Sequence, residues 1–154
     1  MPSITVAGLE VRAVSVAGLQ TCIAIPSWKI AFDIGKCPDS SVSIGRILFT
    51  HGHIDHMGGV IHHVATRAMI GMSPPEYVVP AEYCDGFRKL LDVWREIDRS
   101  ELPCSVRSVS PGDRFSVGKG MAVEVFRSVH RAPTVGYALM RTSRRRRPEF
   151  AELT

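Results

Sequence analysis

Three histidines and one aspartate lie within six consecutive positions of this chain, in the segment THGHIDHMGG at 50–59. The segment begins inside an apolar run of strand length, RILFT, and a run of helical character follows it. In an extended stretch, side chains two residues apart point the same way, so His51 and His53 can reach one ion. The chain then bends, and Asp55 and His56 can face a second point nearby. Zinc binds imidazole and carboxylate at about 2.0–2.2 Å, so this spacing predicts a metal site at the end of a strand.

The alternative interpretation of this segment is a polar loop in which histidines occur by chance. A lone histidine would merit that interpretation, since it is usually a surface residue or a satisfied core residue. Four ligand-type side chains in the order H-x-H-x-D-H, directly after an apolar strand, favour the metal site. Gly52, Gly58 and Gly59 are predicted to give the backbone the freedom to turn there.

Size and composition bound the fold. A chain of 154 residues is long enough for one domain with a core and too short for two. Apolar residues make up 45% and charged residues 22%, and the mean hydropathy is +0.06, which is typical of a globular protein rather than a disordered one. No apolar run reaches the ~20 residues of a membrane span, and the N-terminus does not read as a signal peptide. The expected location is therefore cytoplasmic.

The cysteines indicate a reduced, intracellular type of core. The four of them lie far apart and form no C-x-x-C pair: Cys22, Cys37, Cys84 and Cys104. That spacing matches no zinc ribbon, and a chain of this size needs no disulfide staples. Buried, reduced thiols are the prediction.

The net charge of +4 is a local feature near the C-terminus. It arises from 19 lysines and arginines against 15 acidic residues, and four consecutive arginines account for the whole excess: Arg144, Arg145, Arg146 and Arg147. Such a run can bind phosphate. A solvated face or a frayed end is an equally good interpretation.

Short β-rich runs and two helical patterns alternate along the chain. Strands are predicted at 4–6, 11–16, 21–25, 29–34, 46–50, 76–79, 105–109, 121–126 and 135–140. Helices are predicted at 60–70 and 81–98. The second helix carries an apolar stripe that is interpreted as core packing, formed by Phe87, Leu90, Leu91, Trp94 and Ile97. Early strands, then helices, then further strands predict a layered α/β sandwich in one domain.

The histidine segment resembles the signature of the metallo-β-lactamase superfamily, whose members are αββα sandwiches that hold one or two metal ions. The motif FDIG at 32–35, on an early strand, adds to the resemblance. The resemblance implies that Asp33 supports the metal loop from behind the ligands. A turn-forming aspartate before Gly35 is the other interpretation, and both can hold.

One branch of the superfamily fits best. The segment SVHRAPTVGY at 128–137 resembles the part of ribonuclease Z that supplies the next metal histidine. Four further segments are similar to short-form ribonuclease Z of the plant type: TCIAIPSWKIAFDIGKCP at 21–38, HHVATR at 62–67, SPPEYVVPA at 73–81 and RRRRPEF at 144–150. The resemblance covers nearly the whole chain. It implies a homodimeric, zinc-dependent endoribonuclease that removes 3′ trailers from precursor tRNA.

Carried over residue by residue, the resemblance implies two zinc ions. His51, His53 and His130 would hold one of them, and Asp55 and His56 would hold the other. Asp55 would also be the catalytic residue, since it can orient the attacking water or accept its proton.

The same resemblance assigns a role to basic residues. The arginines at 144–147 would help to neutralise RNA phosphates. Lys36, Arg67 and Arg131 are weaker candidates for that role, and an ordinary solvated charge is the favoured interpretation of each. His62 and His63 match no ligand position of the motif and are predicted to be surface or packing residues.

The resemblance also implies two ligands that the chain does not provide, a bridging aspartate and a final histidine. No histidine follows His130, and no aspartate follows Asp113. The predicted fold is therefore the first βα half of the αββα sandwich, with 1–154 as one domain that is incomplete at its C-terminus. A truncated product is the favoured explanation. A complementary C-terminal half encoded separately and a stand-alone binder of a single zinc are the alternatives.

Two other functions stay open at this point. The metal loop does not select a substrate, so the chain could hydrolyse another ester, a lactone or a thioester. An inert half-domain that binds zinc without turnover is the second alternative.

Overall fold

The computed structural model of the chain describes residues 1–142. The residues predicted to contact RNA phosphate at 144–147 lie outside the described residues. Within the described part, two β-sheets stack face to face, and two helices pack on the other face of the larger sheet.

Seven strands form the larger sheet, and their order in space is their order in the chain. They are β1 (Ser3–Val6), β2 (Leu9–Val16), β3 (Gln20–Ile25), β4 (Ile30–Phe32), β5 (Arg46–Leu48), β6 (Glu76–Pro80) and β7 (Ser105–Val109). Strands β1 to β4 pair antiparallel, whereas β4 to β7 pair parallel. The parallel strands are covered on both faces, which is why β5 and β6 read as continuous apolar runs rather than alternating ones.

Three antiparallel strands form the smaller sheet, with β9 between its two neighbours. They are β8 (Arg114–Gly118), β9 (Met121–Arg127) and β10 (Val135–Arg141). The strand β8 was not predicted, because its sequence RFSVG is short and buries one side chain fully, that of Val117. Valines of this sheet meet the inner face of the larger sheet, where Ile30 and Val78 are fully buried.

Helices α1 (Ile54–Met57), α2 (Val60–Met69) and α3 (Ala81–Asp98) follow the predicted positions closely, except that the single turn α1 was not predicted. Helices α2 and α3 bury one side each against the larger sheet. The observed layers are therefore helix, sheet and sheet, and the α/β class is confirmed. Among the described residues, no helix is long and apolar enough to cross a membrane.

The apolar stripe of α3 is only partly a core feature, so its prediction was wrong for three of five residues. Phe87 and Leu91 are buried. Leu90, Trp94 and Ile97 are 42%, 39% and 65% exposed. The physical reason is that the apolar stripe is wider than the area of α3 that contacts the sheet. The sheet covers only the residues that face it directly, and within residues 1–142 no further element lies over the flank of the helix.

All four cysteines are free thiols, in agreement with the sequence. Three of them are buried, and Cys104 is partly exposed. Burial raises the pKa of Cys22 to about 12, so that thiol is uncharged at neutral pH and contributes to the core as a small apolar group.

Candidate metal centre

The H-x-H-x-D-H segment lies at the carboxyl end of β5, between the two sheets. Phe49 ends the buried strand region, the chain bends at Thr50, and His53, whose own backbone is extended, caps the single turn α1. The side chains of His51 and His53 lie next to each other, as the spacing predicts. Nε2 of His51 lies 3.0 Å from Nδ1 of His53.

His130 comes to the same point from the smaller sheet, on the loop between β9 and β10. Its ring centroid lies 4.7 Å from that of His51 and 5.3 Å from that of His53. One nitrogen of each of the three rings lies within 4.8 Å of the others. Tetrahedral bonds of about 2.0–2.1 Å place ligand atoms about 3.3 Å apart, so this donor set fits a zinc-sized ion.

Asp55 and His56 adjoin the three-histidine cluster on the α1 side. The ring centroids of His56 and His51 are 4.0 Å apart. Oδ2 of Asp55 lies 3.6 Å from Nε2 of His56 and accepts a hydrogen bond of 2.9 Å from the backbone N–H of Gly18. An oxygen and a nitrogen thus face each other at a spacing suited to a shared ion, as the sequence predicts for a second position.

Asp33 is buried behind the histidines and fixes the orientation of two of them. Its Oδ1 accepts from the backbone N–H of Thr50, and its Oδ2 accepts from Nδ1 of His56 and from Oγ1 of Thr50, each at 2.8 Å. The Thr50 oxygen in turn accepts from Nδ1 of His51 at 2.9 Å. A carboxylate only accepts, so the proton of His56 lies on Nδ1 and its Nε2 is left free for an ion. Sequence reasoning missed Thr50, although it directly precedes the motif.

Both sequence interpretations of Asp33 describe its position. Its φ of 57° places it in the left-handed region, where aspartate is tolerated better than most residues. Its backbone therefore makes the turn, while its carboxylate holds the metal loop.

The electrostatics of the cluster favour neutral, ligand-ready imidazole at His51. Burial first, and then the charge of His56, lower the pKa of His51 to about 4. The hydrogen bond from His56 to Asp33 has the opposite effect and raises the pKa of His56, against the effect of its burial. For Asp55, desolvation acts to raise the pKa, but hydrogen bonds from the backbone N–H groups of Gly18 and Asp55 outweigh it, and the pKa is lowered.

The three glycines of the segment serve close approach rather than turning. None of Gly52, Gly58 and Gly59 has a positive φ, so the prediction of conformational freedom was wrong for them. A Cβ on Gly59 would lie 2.5 Å from the backbone nitrogen of Cys37, and one on Gly52 would lie 2.8 Å from the ring of Tyr83. The metal loop is packed so tightly against its neighbours that no side chain fits at these positions.

The sequence analysis assigned no role at the site to two residues near the cluster. The hydroxyl of Tyr83 donates to the carbonyl oxygen of Pro133, three residues after His130, at 2.7 Å. The hydroxyl of Tyr137 donates to the carbonyl oxygen of Phe49 at 2.7 Å, just before the metal loop. Each joins segments far apart in the chain, so only the folded structure brings the partners together.

The remaining candidates lie away from the cluster. Arg67 is buried, and its guanidinium donates to the carbonyl oxygens of Val42 and Ser73, so its assignment as an RNA contact was wrong. It points inward because α2 packs its face against the loops beside β5. Lys36 and Arg131 are exposed.

Of the two histidines on α2, one is at the surface and one is in the core. His62 is exposed, whereas His63 is fully buried and hydrogen-bonded to the hydroxyl of Tyr77 at 2.8 Å. His62 is therefore a surface residue and His63 a packing residue, the two roles predicted for this pair.

Comparisons with known proteins identify relatives and structural neighbours. The chain is 35% identical over 147 residues to a tRNase Z of Arabidopsis thaliana, covering 96% of this chain and 52% of that protein. It is 30% identical over 152 residues to the nuclear ribonuclease Z of Triticum aestivum, covering 99% of this chain and 86% of that protein. No family model matches.

Two solved structures share the fold at low sequence identity. The metallo-beta-lactamase fold protein YhfI from Bacillus subtilis superposes with a TM-score of 0.63 and 10% identity, over 82% of this chain and 53% of that one. The short form of human tRNase Z superposes with a TM-score of 0.57 and 19% identity, over 87% of this chain and 59% of that one. The chain thus spans about half the length of several proteins that it matches.

Proposed function

The chain belongs to the ribonuclease Z family, and from this membership we propose that it provides the metal-binding part of a zinc-dependent endoribonuclease that removes 3′ trailers from precursor tRNA. The observation that supports the proposal best is the convergence of His51, His53 and His130 on one point. These are the residues that the family resemblance assigns to one zinc ion. Asp55 and His56 would contribute to the second zinc position.

The protein side of the mechanism follows from the hydrogen bonds behind the cluster. Asp33 holds the proton of His56 on Nδ1 and, through Thr50, that of His51 on Nδ1. Each imidazole therefore has Nε2 free for the zinc position that it would help to form, the first for His51 and the second for His56. Bound zinc would lower the pKa of a water toward about 7 and polarise a phosphate oxygen. Asp55, whose carboxyl pKa is lowered, would be ionised there and would orient that water or accept its proton.

Partners and location are further parts of this proposal. Precursor tRNA would be the substrate, with the exposed Lys36 and Arg131 and the arginines at 144–147 available for phosphate contacts. A complementary C-terminal half would supply the bridging aspartate and the final histidine, and a homodimer is the assembly that the resemblance implies. We propose a cytoplasmic location, which cell fractionation would test; the relatives include a nuclear ribonuclease Z and a chloroplastic tRNase Z.

One observation favours a second candidate function. Among residues 1–142, the ligand group holds three side chains, and Asp55 and His56 form only a pair beside it. A half-domain that binds a single zinc without turnover would have this donor set.

Zinc content and RNA cleavage measured on one sample test the proposal. The 154-residue chain is purified, zinc per monomer is determined by elemental analysis, and cleavage of a precursor tRNA is followed. His53→Ala removes a proposed ligand. His62→Ala is the matched control, because His62 is an exposed histidine of α2 outside the cluster.

Close to two zinc ions per monomer, with cleavage that His53→Ala abolishes and His62→Ala leaves intact, would support the nuclease proposal. From the isolated chain we expect reduced or absent cleavage, because it provides neither the bridging aspartate nor the final histidine that the resemblance implies. One zinc without cleavage would support the inert half-domain instead. Cleavage that persists in His53→Ala would contradict the proposed metal site.

A further inference from the structure

We propose that Tyr83 is a positioning residue that fastens the His130 loop to the metal loop. The inference rests on the proposed zinc site, because it concerns how the third histidine is held there. The His130 loop is defined as residues 128–134, between β9 and β10. Tyr83 lies in the first turn of α3. Helix α3 packs on one face of the larger sheet, and β9 and β10 lie on the other, so the contact joins separate parts of the fold.

Two contacts of the Tyr83 side chain reach the two halves of the metal site. Its hydroxyl donates to the carbonyl oxygen of Pro133, three residues after His130, at 2.7 Å. Its ring lies against Gly52, the residue between His51 and His53, so closely that a Cβ there would come within 2.8 Å of two ring carbons. One side chain therefore touches both segments that carry the clustered imidazoles.

Little else holds the His130 loop. Val129 is fully exposed, and His130 and Arg131 are exposed as well. The loop borders a cavity of about 680 Å³ instead of packing on the core. Its other hydrogen bonds are internal, from Ser128 to Thr134 and from Thr134 to Ala132. Within residues 1–142, the bond from Tyr83 is the hydrogen bond that joins residues 128–134 to another part of the chain; directly after the loop, the backbone N–H of Val135 donates to the carbonyl oxygen of Thr50 at 3.0 Å.

The position of the Tyr83 ring also explains why residue 52 is a glycine. Since Gly52 has no positive φ, its backbone would accept alanine, and the three atoms nearest to a Cβ there all belong to the Tyr83 ring. Gly52 and Tyr83 are therefore complementary, and a methyl group at position 52 would push the ring, and with it the Pro133 contact, out of place.

Two measurements test the proposal on Tyr83→Phe, which removes only the hydroxyl. Tyr77→Phe is the matched control, because the Tyr77 hydroxyl bonds to His63 in the core, away from the His130 loop. The first measurement uses the metal-free chain and trypsin, which cuts after the exposed Arg131 inside the loop. The second uses Zn²⁺ alone, in competition with a chromophoric chelator, and Co²⁺ absorption as a signature of the coordination geometry.

Loss of one hydrogen bond should raise the open population of the loop about 3- to 10-fold. We expect cleavage after Arg131 to quicken by that factor in Tyr83→Phe, with no such change in Tyr77→Phe. Zinc affinity should fall by a similar factor, and the Co²⁺ spectrum should change. In a His130→Ala background, Tyr83→Phe should no longer alter zinc affinity, because the residue acts through His130.

Equal trypsin cleavage in Tyr83→Phe and the parent chain would overturn the proposal, and so would a zinc effect that persists without His130. As a second variant, Gly52→Ala should quicken cleavage in the parent chain and have less effect in Tyr83→Ala, where no ring is displaced. The trypsin assay needs neither metal nor RNA. A chain that shows the cleavage pattern but does not process precursor tRNA would therefore refute the proposed function and leave this inference standing.

Discussion

Replacing Asp33 by asparagine alters one atom group at the centre of the network that orients the metal loop. The amide keeps an oxygen that can accept from the backbone N–H of Thr50, as Oδ1 does now. The group in place of Oδ2 becomes an NH₂, which cannot accept the 2.8 Å hydrogen bond from Nδ1 of His56. The substitution therefore preserves size and removes one charge-assisted bond at a buried site.

The size of the effect follows from that bond. A hydrogen bond to a charged group contributes about 1.5–3 kcal/mol, and we expect Asp33→Asn to lower the free energy of unfolding by that amount. The Thr50 hydroxyl can rotate, so its bond adds little to the cost. The new NH₂ also favours the tautomer of His56 with its proton on Nε2, the nitrogen that would bind metal. Loss of such supporting bonds lowers metal affinity about 10- to 100-fold.

Urea unfolding of the metal-free chain and zinc competition at pH 7 check both numbers. Asp113→Asn is the matched control, since its Oδ2 accepts from the backbone N–H of Ser110 in an exposed turn. A change in unfolding free energy within about 0.5 kcal/mol of that control, with unchanged zinc affinity, would refute the reasoning; surface substitutions usually stay within that margin.

The hydrogen bond between His56 and Asp33 also makes the stability of the metal-free chain depend on pH. The hydrogen bond to Asp33 raises the folded-state pKa of His56. Its stabilising contribution is therefore complete below about pH 6.5, the unfolded value, and is lost as the pH rises through the raised folded value. This part of the pH profile should be absent from Asp33→Asn.

Two further predictions concern the packing around the site. Gly59→Ala should lower the free energy of unfolding by about 1–3 kcal/mol, because its Cβ would meet the backbone of Cys37 at 2.5 Å; urea unfolding should show Gly86→Ala, with open space around it inside α3, to be neutral or stabilising. Burial and, after it, the charge of Arg67 lower the pKa of His63 to about 4. The metal-free chain should therefore lose stability as the pH falls from about 6.5 toward 4, and thermal melts of His63→Gln should show a shallower decline. A pH profile unchanged by that substitution would assign the acid sensitivity to other groups.

Much of this fold could be predicted from local sequence patterns, because its helices and strands have the apolar spacing that is typical of each element. The helix at 81–98 was predicted at its observed bounds, since Pro80 precedes it and an apolar stripe of helical spacing runs through it. The strand at 105–109 was likewise predicted at its observed bounds. The H-x-H-x-D-H segment predicted the convergence of His51 and His53, because alternation in an extended backbone is a local property.

What sequence reasoning missed depends on contacts between distant parts of the chain. Periodicity identified the apolar side of α3 but not how much of it the sheet covers, so Trp94 and Ile97 were wrongly placed in the core. The inward orientation of Arg67 depends on carbonyl groups of two loops that the helix happens to meet. The role of Tyr83 depends on a carbonyl group 50 residues further along, for which the sequence has no signal.

Because the seven strands of the larger sheet follow one another in space as they do in the chain, each new strand can add to the growing edge during synthesis. The first two histidines of the cluster are thus in place once β6 has been made. The third arrives only with the loop between β9 and β10. At a ribosomal rate of about 5–20 residues per second, a nascent chain spends roughly 2.5–10 seconds between these events. Stable capture of a metal ion by the three histidines would then follow the formation of much of the larger sheet.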